Sequence, residues 1–372
     1  MGKMEFCAPC LFGLEGVLAK ELKDIEAENI RAENGRVLFS GDYNTLARAN
    51  ICLRTAERVC IVLGSFYAKT FDNLFEGTKR LPFERFIGKS NAFPVSGWSL
   101  DSKLFSVRDC QKIIKKAAVT HLSEKYKVSW FEETGSTVKI RFSILKDSVT
   151  IMLDTSGEPL HKRGYRAQST IAPIKETLAA AMVMLSRPYS DSTLYDPFCG
   201  SGTILVEGAL IAAGIAPGLK RRFAAESWGS VKPIVFKNER IRARESINRG
   251  IEFKAVGSDI DENAVALTLE NAKKAGVEEF ITAKAADISD FSPVTERGII
   301  VTNPPYGERL LDIDEARRLY GVCGNVFEKK HGYRYSVISP DEQFEQLFGR
   351  QADKRRKLYN GMLKCNLYMY FK

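Results

Sequence analysis

The stretch TLYDPFCGSGTILVEGAL, residues 193–210, constrains the fold of this chain more than any other. An apolar run predicts a strand ending at Asp196, the segment Cys199-Gly200-Ser201-Gly202 predicts a turn, and Thr203 opens a helix. Glycines in such a turn let the backbone approach a ligand and adopt conformations closed to other residues. The helix start presents free N–H groups to an anionic ligand group. Alone, such a loop also fits a dinucleotide binder or a plain turn. Its surroundings narrow the choice: from Ile171 onward, long helical patterns alternate with short apolar strands that end in Gly or Asp. That alternation predicts a parallel sheet covered on both faces.

Two acidic strand ends follow. EFKAVGSDIDENAV ends a strand at Asp259, with Asp261 two residues on. A carboxylate there can accept both hydroxyls of a ribose, although either Asp can instead cap the next helix. ITAKAADISDF puts Asp287 after a third strand, where it can accept from an adenine amine or cap a turn. The deciding segment is GIIVTNPPYGERL, residues 298–310, which delivers Asn303-Pro304-Pro305-Tyr306 to the carboxyl edge of the sheet. The two prolines fix φ and remove two donors, so the loop is stiff and rich in acceptors. An aromatic amine is a poor nucleophile because its lone pair is delocalised into the ring. The Asn303 side chain and the Pro304 carbonyl can hold its two N–H bonds and turn the lone pair towards a sulfonium methyl. Tyr306 offers a face for an unstacked base, a contact worth ~1–3 kcal/mol. N-P-P-Y alone is also a rigid turn. After a Gly-rich loop and a strand-tip Asp, in this order, it points to methyl transfer from S-adenosylmethionine to an exocyclic amine. Such chemistry needs no metal and no strong general base, and alignment provides much of the rate.

The 372 residues, 44% hydrophobic and 27% charged, predict a globular chain of two or three domains. Residues 4–60 read as strand, helix, strand, helix. A second unit from Thr70 holds the strand-like NAFPVSGWSL, the amphipathic SVRDCQKIIKKAAVTHL and the alternating STVKIRFSILKDSVTIMLD. There Val138, Ile140, Phe142 and Ile144 share one face and Lys139, Arg141 and Ser143 the other, as in a half-buried antiparallel strand. The bridge TSGEPLHKRGYRAQST puts a domain boundary near 160–170. The net charge of +9 favours a polyanionic partner. The excess lies in clusters at Lys112/Lys115/Lys116, Lys162-Arg163/Arg166, Lys220-Arg221-Arg222 and Lys354-Arg355-Arg356-Lys357, each of which is either a solvated face or a binding site. His161, Lys162, Arg163, Tyr165 and Arg166 are the candidates for RNA phosphate contact. The eight cysteines form no disulfide ladder, and Cys7-x-x-Cys10 has no second pair to complete a zinc site. His121 and His331 read as structural. No signal peptide or membrane span is apparent, so a cytoplasmic protein is expected.

At these residues the sequence resembles the THUMP-domain ribosomal RNA guanine-N2 methyltransferases, members of which are often labelled N6-adenine-specific DNA methylases. The resemblance runs over nearly the whole chain and includes FPVSGWSLDSKLFSVRDCQKIIKKA, DTSGEPLHKRGYR, APIKETLAAAM and IAPGLKRRFAAESW. It implies an α/β protein with a ferredoxin-like unit at 1–65, an RNA-gripping α+β THUMP domain at 66–160 and a Rossmann-like class I methyltransferase domain at 166–372. It implies a cofactor site of Thr177, Asp196, Phe198, Gly200, Gly202, Thr203, Asp259, Ile260 and Asp287, with Ala172, Pro173 and Lys175-Glu176-Thr177 covering the methionine end. Asn303, Pro304, Pro305 and Tyr306 would form the catalytic loop. The implied substrate is guanine N2 of 23S ribosomal RNA, free or in an assembly intermediate; the sequence does not fix the oligomeric state, and a monomer is expected. Some relatives continue into a second methyltransferase domain, and with a chain ending at Lys372 one modification is expected. Independently, KLYNGMLKCNLYMYF predicts a final antiparallel hairpin turning at Asn360-Gly361, the mark of this methyltransferase sheet. The rival readings are adenine N6 methylation of DNA or RNA, glutamine methylation on a release factor, and an inactive RNA-binding assembly factor.

Overall fold

The computed structural model describes residues 2–166, 174–187, 192–306, 312–328 and 330–371. The chain opens with β1 (Met4–Pro9), α1 (Glu15–Asp24), β2 (Glu28–Glu33), β3 (Arg36–Gly41) and α2 (Tyr43–Cys52). The sequence pattern predicts one strand between these helices, and the structure has two. β2 escapes the pattern because it is a charged, mostly exposed edge strand with no apolar alternation. Its hairpin to β3 turns at Gly35, which has φ +74.

β4 (Cys60–Tyr67) is the pivot of the first sheet. Its start pairs with β1, and its whole length pairs with β7 (Ser148–Asp154). β6 (Ile140–Leu145) lies antiparallel to β7 and parallel to β5 (Val95–Leu100). One seven-stranded sheet, in the order β2-β3-β1-β4-β7-β6-β5, therefore runs through both N-terminal units. α3 (Phe71–Lys79) and α4 (Val107–Tyr126) pack together beside it. Val138, Ile140, Phe142 and Ile144 are all buried, as the alternation predicts.

The second sheet has the order β10-β9-β8-β11-β12-β14-β13. β8 (Thr193–Asp196), β9 (Lys254–Asp259), β10 (Ile281–Ala285), β11 (Gly298–Thr302) and β12 (Tyr333–Ser339) are parallel. β13 (Lys354–Asn360) and β14 (Leu363–Tyr370) form the expected hairpin, with Gly361 at φ +66 and β14 antiparallel to β12. The helices are α5 (Glu176–Ser186), α6 (Thr203–Ala212), α7 (Pro233–Glu245), α8 (Glu262–Ala275), α9 (Ile313–Val326) and α10 (Phe344–Phe348). Strand order reverses direction between β8 and β11, and an open α/β sheet binds its ligands at such a crevice.

A buried polar network joins the two sheets, and it changes the reading of the bridge. The Arg163 guanidinium donates to Glu207 Oε1 on α6 at 3.3 Å and to the Leu160 carbonyl at 2.5 Å, and Tyr165 donates to Glu207 Oε1 at 3.1 Å. Both residues are buried, so neither can face RNA as the sequence suggests. Arg54, from the N-terminal unit, donates to the carbonyls of Leu210 and Ile215 at 3.3 and 2.8 Å. Arg166 donates to the Ile174 carbonyl at 3.0 Å, to Thr203 Oγ1 at 3.3 Å and to Glu176 at 3.1 Å. His161 faces Glu57 at 3.1 Å rather than a phosphate. Of the bridge cations only Lys162 is well exposed, and it pairs with Glu158 at 2.8 Å.

Removing one partner of a buried ion pair leaves the other charge uncompensated. Arg163→Ala should therefore lower unfolding free energy by about 3–5 kcal/mol, and Lys162→Ala by less than about 1 kcal/mol. Urea unfolding of the two variants beside the parent checks this, and equal midpoints would refute it.

Candidate active site

A cavity of about 560 Å3 lies at the carboxyl edge of the second sheet, where β8, β9, β10 and β11 end. That size suits a small-molecule ligand. Four segments expected from sequence converge on it: the Gly-rich turn with Asp196, Phe198, Gly200 and Thr203; Asp259 with Ile260; Asp287; and Asn303 with Pro305.

The turn is held open by its neighbours. Gly200 and Gly202 adopt φ of +52 and +75, and a Cβ on Gly202 would lie 2.7 Å from Thr268 Cγ2. Thr268 Oγ1 donates to the Gly200 carbonyl and Asn271 Nδ2 to the Ser201 carbonyl, each at 2.9 Å. Both come from α8, and sequence patterns gave no sign of them. Gly202 begins α6, and no side chain caps the helix there. Thr203 and Ile204 of its first turn line the cavity, and the first N–H groups of a helix have no acceptor within the helix itself.

The carboxylates have distinct surroundings. Asp259 accepts from Gly200 N at 2.9 Å and from Asp261 N at 3.1 Å, which orients it across the crevice. Asp261 accepts from Asn263 N at 2.9 Å and is the N-cap of α8, one of its two expected roles. Asp287 accepts from Ser289 N at 2.8 Å and Ser289 Oγ at 2.7 Å, and these bonds hold its carboxyl below the usual range. It caps a turn and also lines the cavity, so the two expected roles coexist. Asp196 is fully buried. Burial pushes its carboxyl up to about 7, the bonds from Thr302 Oγ1 at 2.6 Å and Phe198 N at 3.2 Å oppose the shift, and the Asp259 charge adds to it.

The N-P-P-Y loop leaves β11 on the other side of the crevice. Asn303 Oδ1 is buried and has no hydrogen-bond partner among the described residues, although Asn303 lines the cavity. Pro304 is buried. Tyr306 does not line the cavity: it is half-buried, and its hydroxyl accepts from Asn360 Nδ2 at 2.7 Å. Burial raises its hydroxyl well above the ordinary value.

Thr177 departs most from expectation. It is buried outside the cavity and donates to Glu57 Oε1 at 2.8 Å. Burial would raise the Glu57 carboxyl, but His161, Lys175 and Thr177 together outweigh it and hold it at about 2. The α5 segment thus docks on the N-terminal unit, while its neighbour Ile174 reaches the cavity wall. Ala172 and Pro173 lie outside the described residues. Sequence reasoning missed Glu315, Arg318 and Leu319 of α9, which complete the wall. The Asp312 cap with Asp314 and Glu315 in the first turn was a visible helix start, and it follows the N-P-P-Y loop in the chain.

Among the described residues no group of three or more His, Cys, Asp or Glu could hold a metal ion, and no helix is long and apolar enough to cross a membrane.

A family model described as the RMKL-like methyltransferase domain matches residues 163–369, more than half of the chain. The chain belongs to this methyltransferase family. Further models match the RlmL ferredoxin-like domain at residues 5–60 and the THUMP domain at 68–154. YpsC of Bacillus subtilis, named as an RNA methyltransferase, is 43% identical over 100% of this chain and 97% of its own length. The large-subunit ribosomal RNA methyltransferase K/L of Shewanella baltica is 34% identical over 99% of this chain, which spans only 53% of that relative. Among solved structures, a protein classed as a methyltransferase and bound to SAH is 39% identical, with a TM-score of 0.94 over 100% of this chain and 98% of its own. A Listeria monocytogenes protein whose name calls it an N6-adenine-specific DNA methylase is 44% identical, with a TM-score of 0.93 over 100% and 97%.

Asp196 gives this family member a testable pH signature. Its folded-state value lies above the unfolded value of 3.8, so its stabilising contribution is present below about pH 4 and is lost as pH rises through 7. Asp196→Asn is neutral throughout and should gain stability on the cofactor-free parent between pH 4 and 8, by up to roughly 4 kcal/mol. Urea midpoints of both proteins across that range test it, and a constant difference would rule it out.

Proposed function

We propose that this chain transfers a methyl group from S-adenosylmethionine to the exocyclic amine of a base in RNA, with guanine N2 of 23S ribosomal RNA as the target. The reading rests on one observation above the others: a buried acceptor with no partner among the described residues, Asn303 Oδ1, on the wall of the cavity that the Gly-rich turn also lines. An unsatisfied buried acceptor is costly, so a site that keeps one is suited to a donor brought by the substrate.

The residues present fit the cofactor. The uncapped start of α6 suits its carboxylate, Asp259 keeps acceptor capacity for ribose hydroxyls, and Ile260 and Asp287 suit the face and amine of an adenine. When bound, S-adenosylmethionine supplies a sulfonium methyl as electrophile. Asn303 Oδ1 accepts one N–H of the target amine and the Pro304 carbonyl the other, which turns the nitrogen lone pair into the cavity. The stiff Pro304-Pro305 backbone holds both acceptors in place, so little is left to reorganise during transfer. The amine proton becomes acidic on methylation and leaves to water, so no buried base is required.

Asn303 cannot choose between guanine N2 and adenine N6. The N-terminal units favour structured RNA, which is recognised through shape and backbone. YpsC and the K/L relatives are named for RNA, whereas the Listeria relative is named for DNA adenine. We take the enzyme to act as a cytoplasmic monomer, on naked RNA or an assembly intermediate.

Incubation with S-adenosylmethionine and unmodified ribosomal RNA, followed by nucleoside mass spectrometry, should give N2-methylguanosine. N6-methyladenosine would overturn the base assignment. Asn303→Ala should cut transfer by about a hundredfold or more while cofactor affinity stays within about threefold, because this acceptor touches only the amine. Calorimetry beside the transfer assay separates the two effects, and parallel losses would contradict the role.

A further inference from the structure

The β13–β14 hairpin rises beyond the sheet on the side of the active-site cavity. The last pair between β12 and β14 is Ser339 with Asn366, and the hairpin continues to the Asn360 with Leu363 pair before it turns. At ~3.3 Å per residue its tip stands about 10 Å beyond the carboxyl edge. The Asn360 bond to the Tyr306 hydroxyl pins this tip to the catalytic loop. From behind, the N-terminal unit braces it. The Phe12 and Tyr359 rings lie 5.8 Å apart, and a Cβ on Gly13 would sit 2.3 Å from the Lys357 carbonyl oxygen.

The tip combines apolar and cationic side chains. Met362 is 100% exposed and Leu363 45%. Lys354, Arg356, Lys357 and Lys364 flank them with no acidic residue between 354 and 364, while Arg355 on the same strand pairs with Glu345, its Nε donating to Oε1 at 2.9 Å. A rigid cationic ribbon carrying an apolar point matches nucleic acid better than a protein groove, because the cations suit phosphates and the apolar side chain suits a base step.

We propose that this hairpin extracts the target nucleotide from its stack, with Met362 as the wedge that takes the place of the departing base. The inference rests on the reading of the chain as an RNA base methyltransferase. A base within a helix cannot bring its amine to Asn303 without leaving the stack. Unbranched and polarisable, a methionine side chain adapts to whichever bases remain. The same ribbon joins wedge and catalytic loop through Asn360, so the vacated space and the receiving site keep a fixed separation.

The test uses the full chain, S-adenosylmethionine and two RNAs: a folded ribosomal RNA transcript, and a short unstructured oligonucleotide that carries the nucleotide found methylated in it. Met362→Ala should lower kcat/KM on the folded transcript by about tenfold. It should leave the oligonucleotide reaction and cofactor binding unchanged, and Met362→Leu should restore most of the loss. As Met362 contacts solvent only, the variants should fold as the parent does. Equal rates for Met362→Ala and parent on the folded transcript would overturn the wedge, as would equal losses on both RNAs. A parent that labels no RNA at all would instead overturn the functional reading, and this inference with it.

Discussion

One hydrogen bond, from Thr302 Oγ1 to Asp196 Oδ1 at 2.6 Å, ties together the two halves of the active site. It joins the ends of β8 and β11, which are paired through Thr193 with Gly298, Leu194 with Ile299 and Tyr195 with Ile300. Beyond it the backbones diverge, the Gly-rich turn towards α8 and the N-P-P-Y loop towards the final hairpin. The crevice opened by that divergence is the cavity. Asp196 is fully buried, and burial pushes its carboxyl up to about 7 while it accepts from the Phe198 amide and the Thr302 hydroxyl. A group so placed acts through geometry: it fixes where the turn begins relative to Asn303.

Much of this site was legible in the sequence because its chemistry is local. A Gly-rich turn needs glycine where φ is positive, and Gly200 and Gly202 supply it at +52 and +75. Strand-tip carboxylates and the two prolines are likewise set by position within one element. Contributions from elsewhere left no local mark. Thr268 and Asn271 brace the turn from α8, and α9 closes the wall, through spacings that only the packed sheet creates. β2 was invisible for a different reason: an edge strand that faces water has no apolar period to read.

The basic bridge misled for an instructive reason. Charge counted along a sequence cannot separate a cation awaiting a phosphate from one already matched by a buried acid. Arg163, Arg166, Lys175 and His161 meet Glu207, Glu176 and Glu57 within the fold. Buried charges need such partners, and the partners lie on elements far away in sequence. The same pairing explains Thr177, whose hydroxyl serves Glu57 of the N-terminal unit. What sequence presents as a substrate-binding ribbon is, in three dimensions, the joint that fixes one sheet on the other. Its rigidity matters because α6 carries both the joint and part of the cavity wall, and Ile174, just before α5, reaches that wall too.

Once those cations are assigned to the joint, the excess positive charge has fewer places to act. The Lys354-Arg355-Arg356-Lys357 cluster lies on an edge strand, where charge also guards against edge-to-edge pairing. Defence of the edge alone explains the cations but assigns no role to Met362 and Leu363, the exposed apolar pair at the tip. Nor does it explain why Asn360 reaches across to Tyr306 when a turn of Asn-Gly type closes without such a bond. Both features follow if the hairpin belongs to the active site. The last two strands then do more than complete a sheet: they carry the N-terminal units' grip, through Phe12 and Gly13, to within one side chain of the N-P-P-Y loop.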